Sequence, residues 1–313
     1  MKFGVREICD VTFKTTAANQ RVGSKKFAHA GMPAFFIDTA KTSSLEQATT
    51  TVYAQGGKGY SRLIAWEGEK TMTFTVEDAL ISPMGLAVLS GADLIKADTN
   101  NKVHVHVTRD VVVDDKGVAK ITLADLQEET GKTGTGTFEI TADPVYAILL
   151  DGSGAGIQYL DNAVSEVAQT VAEDSDASFT IGPDFVGKVV KLDFYVKMQS
   201  GVTNVEIKPS DFGGFFYVEA QTLFRREDTG MDMAAEIILP KVKVQSGFTF
   251  SMGASGDPST FTFTMDAFPG YTMSDKTKKV MCVIQVIGED DVVDTTATNT
   301  EPTEPDTEET SLL

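Results

Sequence analysis

Apolar and polar residues alternate with a period of two along most of the chain. The alternating segments are short, rich in β-branched and aromatic residues, and bounded by Gly, Asp, Asn or Pro. Clear examples are VKLDFYVKM (190–198), AEIILPKVKV (235–244), FTFSM (248–252) and KVMCVIQVI (279–287). This period places one side of a strand in the core and the other in solvent. The pattern therefore predicts a mainly β protein, an antiparallel β-sandwich or barrel.

One segment between two strand patterns has the signals of a helix. Ser82 is a good N-cap, Pro83 fits the first turn, and Gly91 stands where a left-handed residue ends a helix. An apolar stripe between them is formed by Leu86, Val88 and Leu89. We expect one short α-helix flanking the sheets.

The middle of the chain differs in composition from its two ends. Residues 98–178 are more polar and rich in Gly, Asp and Thr. Within them KVHVHVTRDVVV and KGVAKITL predict strands, and YLDNAVSEVAQTVAEDSD (159–176) has a helix pattern. We interpret 98–178 as an insertion or small β-rich subdomain, and 1–97 together with 179–288 as the β core.

The acidic residues are concentrated towards the last part of the sequence. The formal net charge is −18, and residues 289–313 contain nine acidic residues and no Lys or Arg, so the other 288 residues carry about −9. This segment is poor in apolar residues and contains Pro, which predicts a disordered acidic tail. Basic residues form only short clusters, GSKKFAH and DKTKK, so the sequence lacks the footprint of a nucleic-acid-binding protein.

Two features bear on where the protein is made. No run reaches about 18 to 20 apolar residues, and MKFGVREICD has no apolar signal core, so we expect no membrane partner and synthesis in a cytosol. Cys9 and Cys282 lie in apolar, strand-like contexts. In a reducing compartment this favours two buried thiols over a disulfide.

The candidate chemical motifs are weak. DGSGAG (151–156) suggests a phosphate loop, but no GK[ST] follows, and a flexible turn is the plainer interpretation. His104 and His106 would share one face of a strand, as two metal ligands do, but His29 is the only other histidine. No nucleophile with a base and no pair of carboxylates stands out. We expect no catalytic site, no metal and no cofactor, and hence no enzyme.

Two segments far apart in the sequence repeat one pattern. TMTFTV (71–76) and TFTFTM (260–265) each alternate threonine with an apolar residue and lead into Glu77 or Asp266. The threonines fall on one face of each strand and the apolar residues on the other. The pattern fits ordinary half-buried sandwich strands. It also fits a long sheet whose uncharged polar face lines a water-filled space and whose edges are closed by neighbouring subunits.

Two longer stretches carry a wider similarity. They are RLIAWEGEKTMTFTVEDALISPMGLAVLSGADL (62–94) and FRREDTGMDMAAEIILPKVKVQSGFTFSMGASGDPSTFTFTMDAFPG (224–270). The first reads as a strand, a turn and a short helix. In the second, an Arg-acidic-Gly-acidic turn leads to a strand ending in Pro-Lys and then to two strands joined by a turn of small residues. Both stretches resemble the tail tube proteins, or major tail proteins, of tailed bacteriophages.

That resemblance implies a β-sandwich with a flanking helix that assembles as stacked hexameric rings. Each subunit would lend strands to an inner β-barrel through which double-stranded DNA passes without specific binding. The implied partners are further copies of the chain and the tape measure, sheath, terminator and baseplate proteins of a tail. The protein would be part of the virion, assembled in the host cytoplasm. The candidate lumen-facing residues are Thr71, Thr73, Thr75, Thr260, Thr262 and Thr264.

Four cations are candidates for contacts between subunits. The stretch 49–66 contains a Gly-Gly-Lys-Gly turn, aromatic residues, Lys58 and Arg62. It fits a long hairpin that reaches a neighbouring ring, or a plain surface hairpin. Arg225 and Arg226 precede two acidic residues and fit either charge pairs between subunits or an exposed turn.

Two other functions fit the same sequence. A head decoration or baseplate component of a virion has similar hairpin patterns. A carbohydrate- or receptor-binding β-sandwich shares the threonine and aromatic content, and it predicts aromatic residues gathered on one exposed face.

Overall fold

The computed structural model describes residues 2–131, 137–150, 157–159, 165, 167–249, 253 and 259–288. Its first strands are β1 (Phe3–Val5), β2 (Asp10–Thr15), β3 (Arg21–Val22), β4 (Lys25–Lys26), β5 (Pro33–Ile37), β6 (Ala40–Gly56) and β7 (Ser61–Asp78). The middle of the chain adds β8 (Asp93–Lys96), β9 (Val103–Val112), β10 (Val118–Ile121), β11 (Phe138–Ile140), β12 (Tyr146–Leu150), β13 (Ile157–Tyr159), β14 (Gln169–Val171), β15 (Ala177–Thr180), β16 (Val189–Met198) and β17 (Thr203–Glu206). The last strands are β18 (Phe215–Arg226), β19 (Asp232–Val244), β20 (Phe261–Ala267) and β21 (Val283–Ile287). The helices are α1 (Pro83–Ser90), α2 (Leu123–Thr130) and a 3-10 turn, Pro183–Phe185.

The larger sheet has nine strands and covers one hydrophobic core. Its strands follow the order β5-β2-β18-β19-β20-β7-β6, with β1 also paired to β18 and β21 to β19. One face is buried around phenylalanines such as Phe13, Phe74 and Phe263, and α1 adds Val88 and Leu89 to this core. The other face carries polar residues together with exposed apolar ones such as Phe36. The predicted mainly β, antiparallel fold with a short flanking helix is confirmed.

A second sheet forms from the middle of the chain and has its own core. Its strands pair in the order β13-β12-β16-β11-β14, and β9 pairs with β16 along its whole length. The β10–β15 pair and α2 pack with this sheet around Leu126, Phe179 and Phe194. The chain enters and leaves this unit through the antiparallel pair β8–β17.

Strand β16 corrects the predicted extent of the insertion. The sequence pattern predicts that the insertion ends at residue 178 and that 179–288 belong to the β core. However, β16 pairs with β9, β11 and β12, and it buries Leu192 and Phe194 in the second core. Alternation gives no information on which sheet a strand joins, because strands of both sheets have the same period. The wider division of the chain into domains stays a prediction.

The helix predicted after β7 is confirmed with its caps. The Ser82 hydroxyl accepts a hydrogen bond from the Gly85 N–H at 2.9 Å, Pro83 is the first residue, and Gly91 has a φ of 75°. Helix α2 was not predicted. It begins with a capping box, in which Thr122 and Asp125 each accept a hydrogen bond from the other's backbone N–H.

Arg109 on β9 fastens α2 to the second sheet. Its guanidinium donates hydrogen bonds to Asp125 at 3.0 Å, to Glu128 at 2.9 Å and to Glu129 at 3.0 Å. The hydrogen bonds to Glu129 and Glu128 raise the pKa of Arg109 above its ordinary value. A single strand residue therefore forms hydrogen bonds with three side chains of the helix.

The helix pattern at 159–176 gave a wrong prediction over the described part of that segment. β13 ends at Tyr159, Ser165 forms an isolated bridge with Val145, and β14 covers Gln169–Val171. This segment therefore contributes strands and bridges to the second unit.

Three other predictions concern residues at the limits of the described chain. The strand predicted at 248–252 is not formed at Phe248 and Thr249, and its other residues lie outside the described part. The turn predicted at 151–156 and the acidic tail predicted at 289–313 also lie outside the described residues.

Replacing Gly91 by alanine should destabilise the protein more than the same change at Gly131. Both glycines end an eight-residue helix with a positive φ, 75° and 65°. A Cβ on Gly91 would lie 2.2 Å from the carbonyl oxygen of Phe212, whereas nothing lies within 4 Å of a Cβ on Gly131. We expect Gly131→Ala to cost about 1 kcal/mol through the left-handed backbone alone, and Gly91→Ala to cost at least about 3 kcal/mol.

Urea unfolding of the two variants, followed by circular dichroism, measures the difference. Equal losses of unfolding free energy in the two variants would show that the backbone at Phe212 moves aside freely. That result would contradict the assignment of Gly91 as a close-contact position.

Candidate functional site

The two threonine segments are neighbours in the larger sheet. β20 pairs antiparallel with β7, with Thr264 opposite Thr75 and Phe263 opposite Val76. The apolar side chains are buried, Phe74 with 1% and Val76 with 0% of its surface exposed. The six threonines all lie on the opposite face, where Thr71 and Thr262 are exposed and Thr73, Thr75, Thr260 and Thr264 are half-buried. The sequence predicted both faces but not this pairing.

The pairing aligns polar side chains in rows across four strands. The rows are Glu46, Thr73, Asp266 and Lys243; then Ser44, Thr75 and Thr264; then Thr42, Glu77 and Thr262. We call this surface the threonine face. It holds three carboxylates and one ammonium group among the hydroxyls, so the expectation of an uncharged face is wrong. The face is polar with an acidic balance.

Threonine hydroxyls on this face bind the carboxylates. Asp266 accepts hydrogen bonds from the Thr73 hydroxyl at 3.3 Å and from the Gln245 amide at 2.9 Å. Glu77 accepts from the Thr260 hydroxyl and from the Thr42 hydroxyl. These two hydrogen bonds, that from Thr260 first, hold the pKa of Glu77 below its ordinary value. These hydrogen bonds therefore favour the charged form of Glu77.

Strands β6 and β7 continue well beyond the rest of the sheet. β20 pairs with β7 only over Thr73–Asp78, whereas β6 accompanies β7 as far as the Gly56–Ser61 pair. We call this extension the ribbon: residues 48–56 of β6, 61–71 of β7 and the turn between them. Within the described residues no strand pairs with the outer edge of β6.

The ribbon exposes large apolar side chains. Leu63 has 65% and Trp66 has 53% of its surface exposed. Val52 lies opposite Trp66, and Ala54 lies opposite Ile64, so these four side chains share one face. A folded monomer rarely exposes such a continuous apolar surface unless the surface has a partner.

A bulge bends the ribbon where it leaves the sheet. The register passes from Thr49 opposite Lys70 to Thr51 opposite Glu67. The Thr50 hydroxyl accepts a hydrogen bond from the Glu69 N–H at 2.8 Å. A Cβ on Gly68 would lie 2.5 Å from the Thr50 hydroxyl oxygen, so a larger residue at this position would force the Thr50 side chain to move.

The four candidate contact cations occupy two different places. Lys58 is exposed in the ribbon turn, and the Arg62 guanidinium lies 4.0 Å from the centre of the Tyr53 ring. Arg225 donates two hydrogen bonds to Asp232, at 2.6 and 2.7 Å, and Arg226 donates two to Asp228. The two arginines thus have carboxylate partners in their own chain, and their role between subunits stays a prediction.

The histidines and cysteines lie outside the threonine face. His106 lies on the outer face of the second sheet, with Nε2 3.0 Å from Asp193, and His104 has Nδ1 3.9 Å from Asp143. Cys9 and Cys282 are free thiols. Burial raises the pKa of both thiols, that of Cys282 to about 11.

The described part of the chain contains neither a metal-binding cluster nor a membrane-spanning helix. No three His, Cys, Asp or Glu side chains there are arranged to hold a metal ion. None of its helices is long and apolar enough to cross a bilayer.

The family comparison bears directly on the ribbon and the threonine face. The sequence profile of the YomU/Tube protein family matches residues 26–283, a stretch that contains both features and the second sheet. The chain belongs to the YomU/Tube protein family. This is a phage tube family, which makes the chain a phage tube-related structural protein. The resemblance to phage tube proteins is confirmed at this level.

A comparison of the chain with curated proteins found no match. The narrower assignment, to the major tail proteins of tailed bacteriophages, stays a prediction.

Removing the two hydroxyls that bind Glu77 should raise the pKa of its carboxyl group. In the variant Thr42→Val with Thr260→Val, the carboxylate loses both donors, and its pKa should return towards the ordinary value for glutamate. Because the pKa is depressed in the folded protein, the stabilisation is present above the ordinary pKa and is lost as the pH falls through the depressed one. The variant should therefore lose less stability on acidification than the wild type.

Carbon-detected NMR titration of the Glu77 carboxyl group measures this shift. The carboxyl of Asp93, which is paired with Lys208 away from the threonine face, serves as an internal control. An unchanged Glu77 titration in the variant would contradict the role of the hydroxyls.

Proposed function

We propose that the chain is the self-assembling subunit of a phage tail tube, in which hexameric rings stack around a conduit for double-stranded DNA. The protein is structural, performs no catalysis and needs no cofactor. The observation that carries the proposal is the ribbon, whose outer edge and apolar face have no cover in the described part of the chain. Membership of a phage tube family supports the same function.

A neighbouring copy would cover both the apolar face and the outer edge of the ribbon. An isolated two-stranded hairpin is marginal in water, and its outer edge presents unpaired N–H and C=O groups. Docking on a second copy covers the apolar face and pairs or shields that edge. A contact that joins the ribbon of one copy to a different surface of the next is heterologous, and such contacts close into a ring when the rotation between copies permits it.

The threonine face suits the wall of a DNA conduit. Lys243 is the only cation among its three rows, and two of its three carboxylates, Glu77 and Asp266, accept hydrogen bonds from neighbouring side chains. Duplex DNA is held mainly by phosphate contacts that release counterions. An acidic wall makes few such contacts, so DNA passes without being bound.

The remaining partners follow from a place in a tail. A tube subunit meets the tape measure inside the growing tube, and terminator, baseplate and, in contractile tails, sheath proteins at its ends and outer surface. Assembly in the host cytoplasm and residence in the virion belong to the same proposal.

Polar substitutions in the ribbon should abolish rings while leaving the fold intact. Val52→Ser with Trp66→Ser removes two apolar side chains that face each other across the ribbon and lie outside both cores. Negative-stain microscopy should show annular particles or tubes for the wild type and none for the variant. Light scattering should give the mass of a single chain, and circular dichroism should be unchanged.

A matched control makes the same kind of change away from the ribbon. Val112→Ser with Tyr146→Ser alters two exposed side chains of the second sheet, with 60% and 48% of their surfaces exposed. This control should assemble like the wild type. If the ribbon variant forms rings at wild-type yield, the proposal that the ribbon joins subunits is wrong.

Lysines on the threonine face should make the tube retain DNA. Thr73→Lys with Thr262→Lys adds two cations per copy to exposed or half-buried positions, so assembly should persist. Each added cation contributes a phosphate contact whose counterion release favours binding. Assembled variant tubes should bind duplex DNA in a salt-dependent manner, and virions that carry the variant should eject DNA more slowly.

The control is Thr203→Lys, an exposed position on β17 outside the threonine face. If the threonine-face variant binds no DNA and its virions eject DNA at the wild-type rate, these side chains do not line the channel.

A further inference from the structure

Strand β21 leaves one edge of the larger sheet open. It pairs with β19 over residues 234–238, and no strand of the described chain pairs with its other edge. Ile284 and Ile287 have 55% and 59% of their surfaces exposed. The strand reads VIQVI and contains neither a charge nor a proline. Native proteins commonly protect a free edge with charges or proline, because an unprotected edge accepts a further strand. β21 therefore has the character of a strand that receives a partner strand.

The place beside β21 is open because β7 does not continue along it. β18 occupies one edge of β19, so β20 and β21 both lie along the other edge, β20 at 242–244 and β21 at 234–238. β7 lies beside β20 only as far as Thr73, opposite Asp266. Beyond that point β7 continues into the ribbon, and it does not pair with β21. One more strand would extend the sheet at this place.

The β6 edge of the ribbon is equally unprotected. Residues 47–57 contain no charged side chain, and 49–52 read TTTV, all β-branched. Their outer edge has no partner strand in the described chain. The other strand of the ribbon, β7, carries four charged side chains, Arg62, Glu67, Glu69 and Lys70. Of the two ribbon edges, the β6 edge is therefore the one suited to a further strand.

Two other edge strands of the described sheets are protected. β5, at the opposite end of the larger sheet, contains Pro33, which has no N–H to donate. β9, an edge strand of the second sheet, carries Arg109 and Asp110. The contrast sets the β6 edge of the ribbon and the edge of β21 apart as a matching pair.

The order of strands decides that β6 and β21 pair between copies and not within one. β7 lies between β6 and the rest of the sheet, and it pairs with β6 along the whole ribbon. The free edge of β6 therefore faces away from β19. The free edge of β21 faces away from β19 too, since β19 occupies its other edge. Two edges that face the same way cannot exchange hydrogen bonds within one copy, so a β6 edge reaches β21 from a second copy.

We propose that the β6 edge of the ribbon in one copy pairs with β21 of the next copy and adds a strand to its larger sheet. This inference rests on the proposed function and names the surface that receives the ribbon. Main-chain hydrogen bonds along the joined strands hold the two copies together, and the incoming strand covers part of Ile284 and Ile287. Each copy has one donating and one receiving edge, so the contact is heterologous and repeats from copy to copy until a ring closes.

Two variants, each with one edge blocked, test the pairing. Ala48→Lys with Thr51→Lys places charges on both faces of β6 and leaves the large apolar side chains of the ribbon unchanged. Ile284→Lys with Ile287→Lys does the same on β21. All four positions are exposed, so circular dichroism should show the wild-type fold in both variants. Analytical ultracentrifugation should give the mass of one chain for each variant alone, because lysine on an edge blocks pairing.

Mixing the two variants should restore a single junction. The β6 variant retains an intact β21, and the β21 variant retains an intact β6 edge, so an equal mixture contains one usable pair of edges. The mixture should form a species with the mass of a pair of chains and nothing larger. A mixture that stays at the mass of one chain, or dimers formed by either variant alone, would overturn the inference.

A control variant places the same added charge on a different edge strand. His106→Lys with Val112→Lys alters two exposed positions of β9 in the second sheet. This variant should assemble like the wild type. A loss of assembly equal to that of the β6 variant would show that added charge, and not a blocked edge, prevents assembly, and it would overturn the inference.

Hydrogen exchange of the unaltered protein tests the pairing without any substitution. On assembly, backbone amides that gain a partner strand should exchange at least about tenfold more slowly, both in 48–54 and in 283–287. Slower exchange in only one of these stretches would overturn the inference. So would slower exchange in 61–69 without 48–54, because the β7 edge of the ribbon would then join the copies.

The outcomes separate this inference from the proposed function. Open chains of copies in which both stretches exchange slowly would support the inference and count against closed hexameric rings. Annular particles in which β21 exchanges as fast as in the single chain would support the proposed function and overturn the inference.

Discussion

The pairing of β7 with β20 is the contact on which the rest of the larger sheet depends. Thr75 lies opposite Thr264, and Phe74 lies opposite Met265. Because side chains alternate across a strand, a slip of one residue would expose the phenylalanines and bury the threonines. Each fully buried phenylalanine contributes about 1.5–3 kcal/mol, so burial of Phe74 and Phe263 holds the register. The alternation that buries these phenylalanines therefore also places the threonines on the opposite face of the sheet.

The candidate site was only partly predictable from the sequence. The period of two predicted the faces of 71–76 and 260–265 correctly, because that signal is local. The acidic character of the threonine face was also present in the sequence, since Glu77 and Asp266 continue the threonine positions with the same period; the expectation of an uncharged face overlooked this. The mutual pairing of the two segments was not predictable, because contacts between distant residues leave no periodic mark on either strand.

The two helix predictions show where local signals are sufficient. Ser82 and Gly91 predicted α1 because both caps act within one turn of the helix. Helix α2 was missed although Thr122 has capping-box spacing, because its polar residues give only a weak apolar stripe. The opposite error at 159–176 arose from Val164, Val167 and Val171, whose spacing of three and four resembles a helix. Pairing with the second sheet overrides that local preference.

Unequal strand lengths separate the part of the sheet that covers the core from the ribbon, the part that we propose joins subunits. β20 has 7 residues and β7 has 18, so the core ends with β20 while the ribbon continues. The buried residues of the larger core all come from one chain. In our proposal, the cover of the ribbon comes from other copies. Contacts of this kind are weak singly and strong when repeated around a ring, so the proposed assembly would depend steeply on concentration and on ring closure.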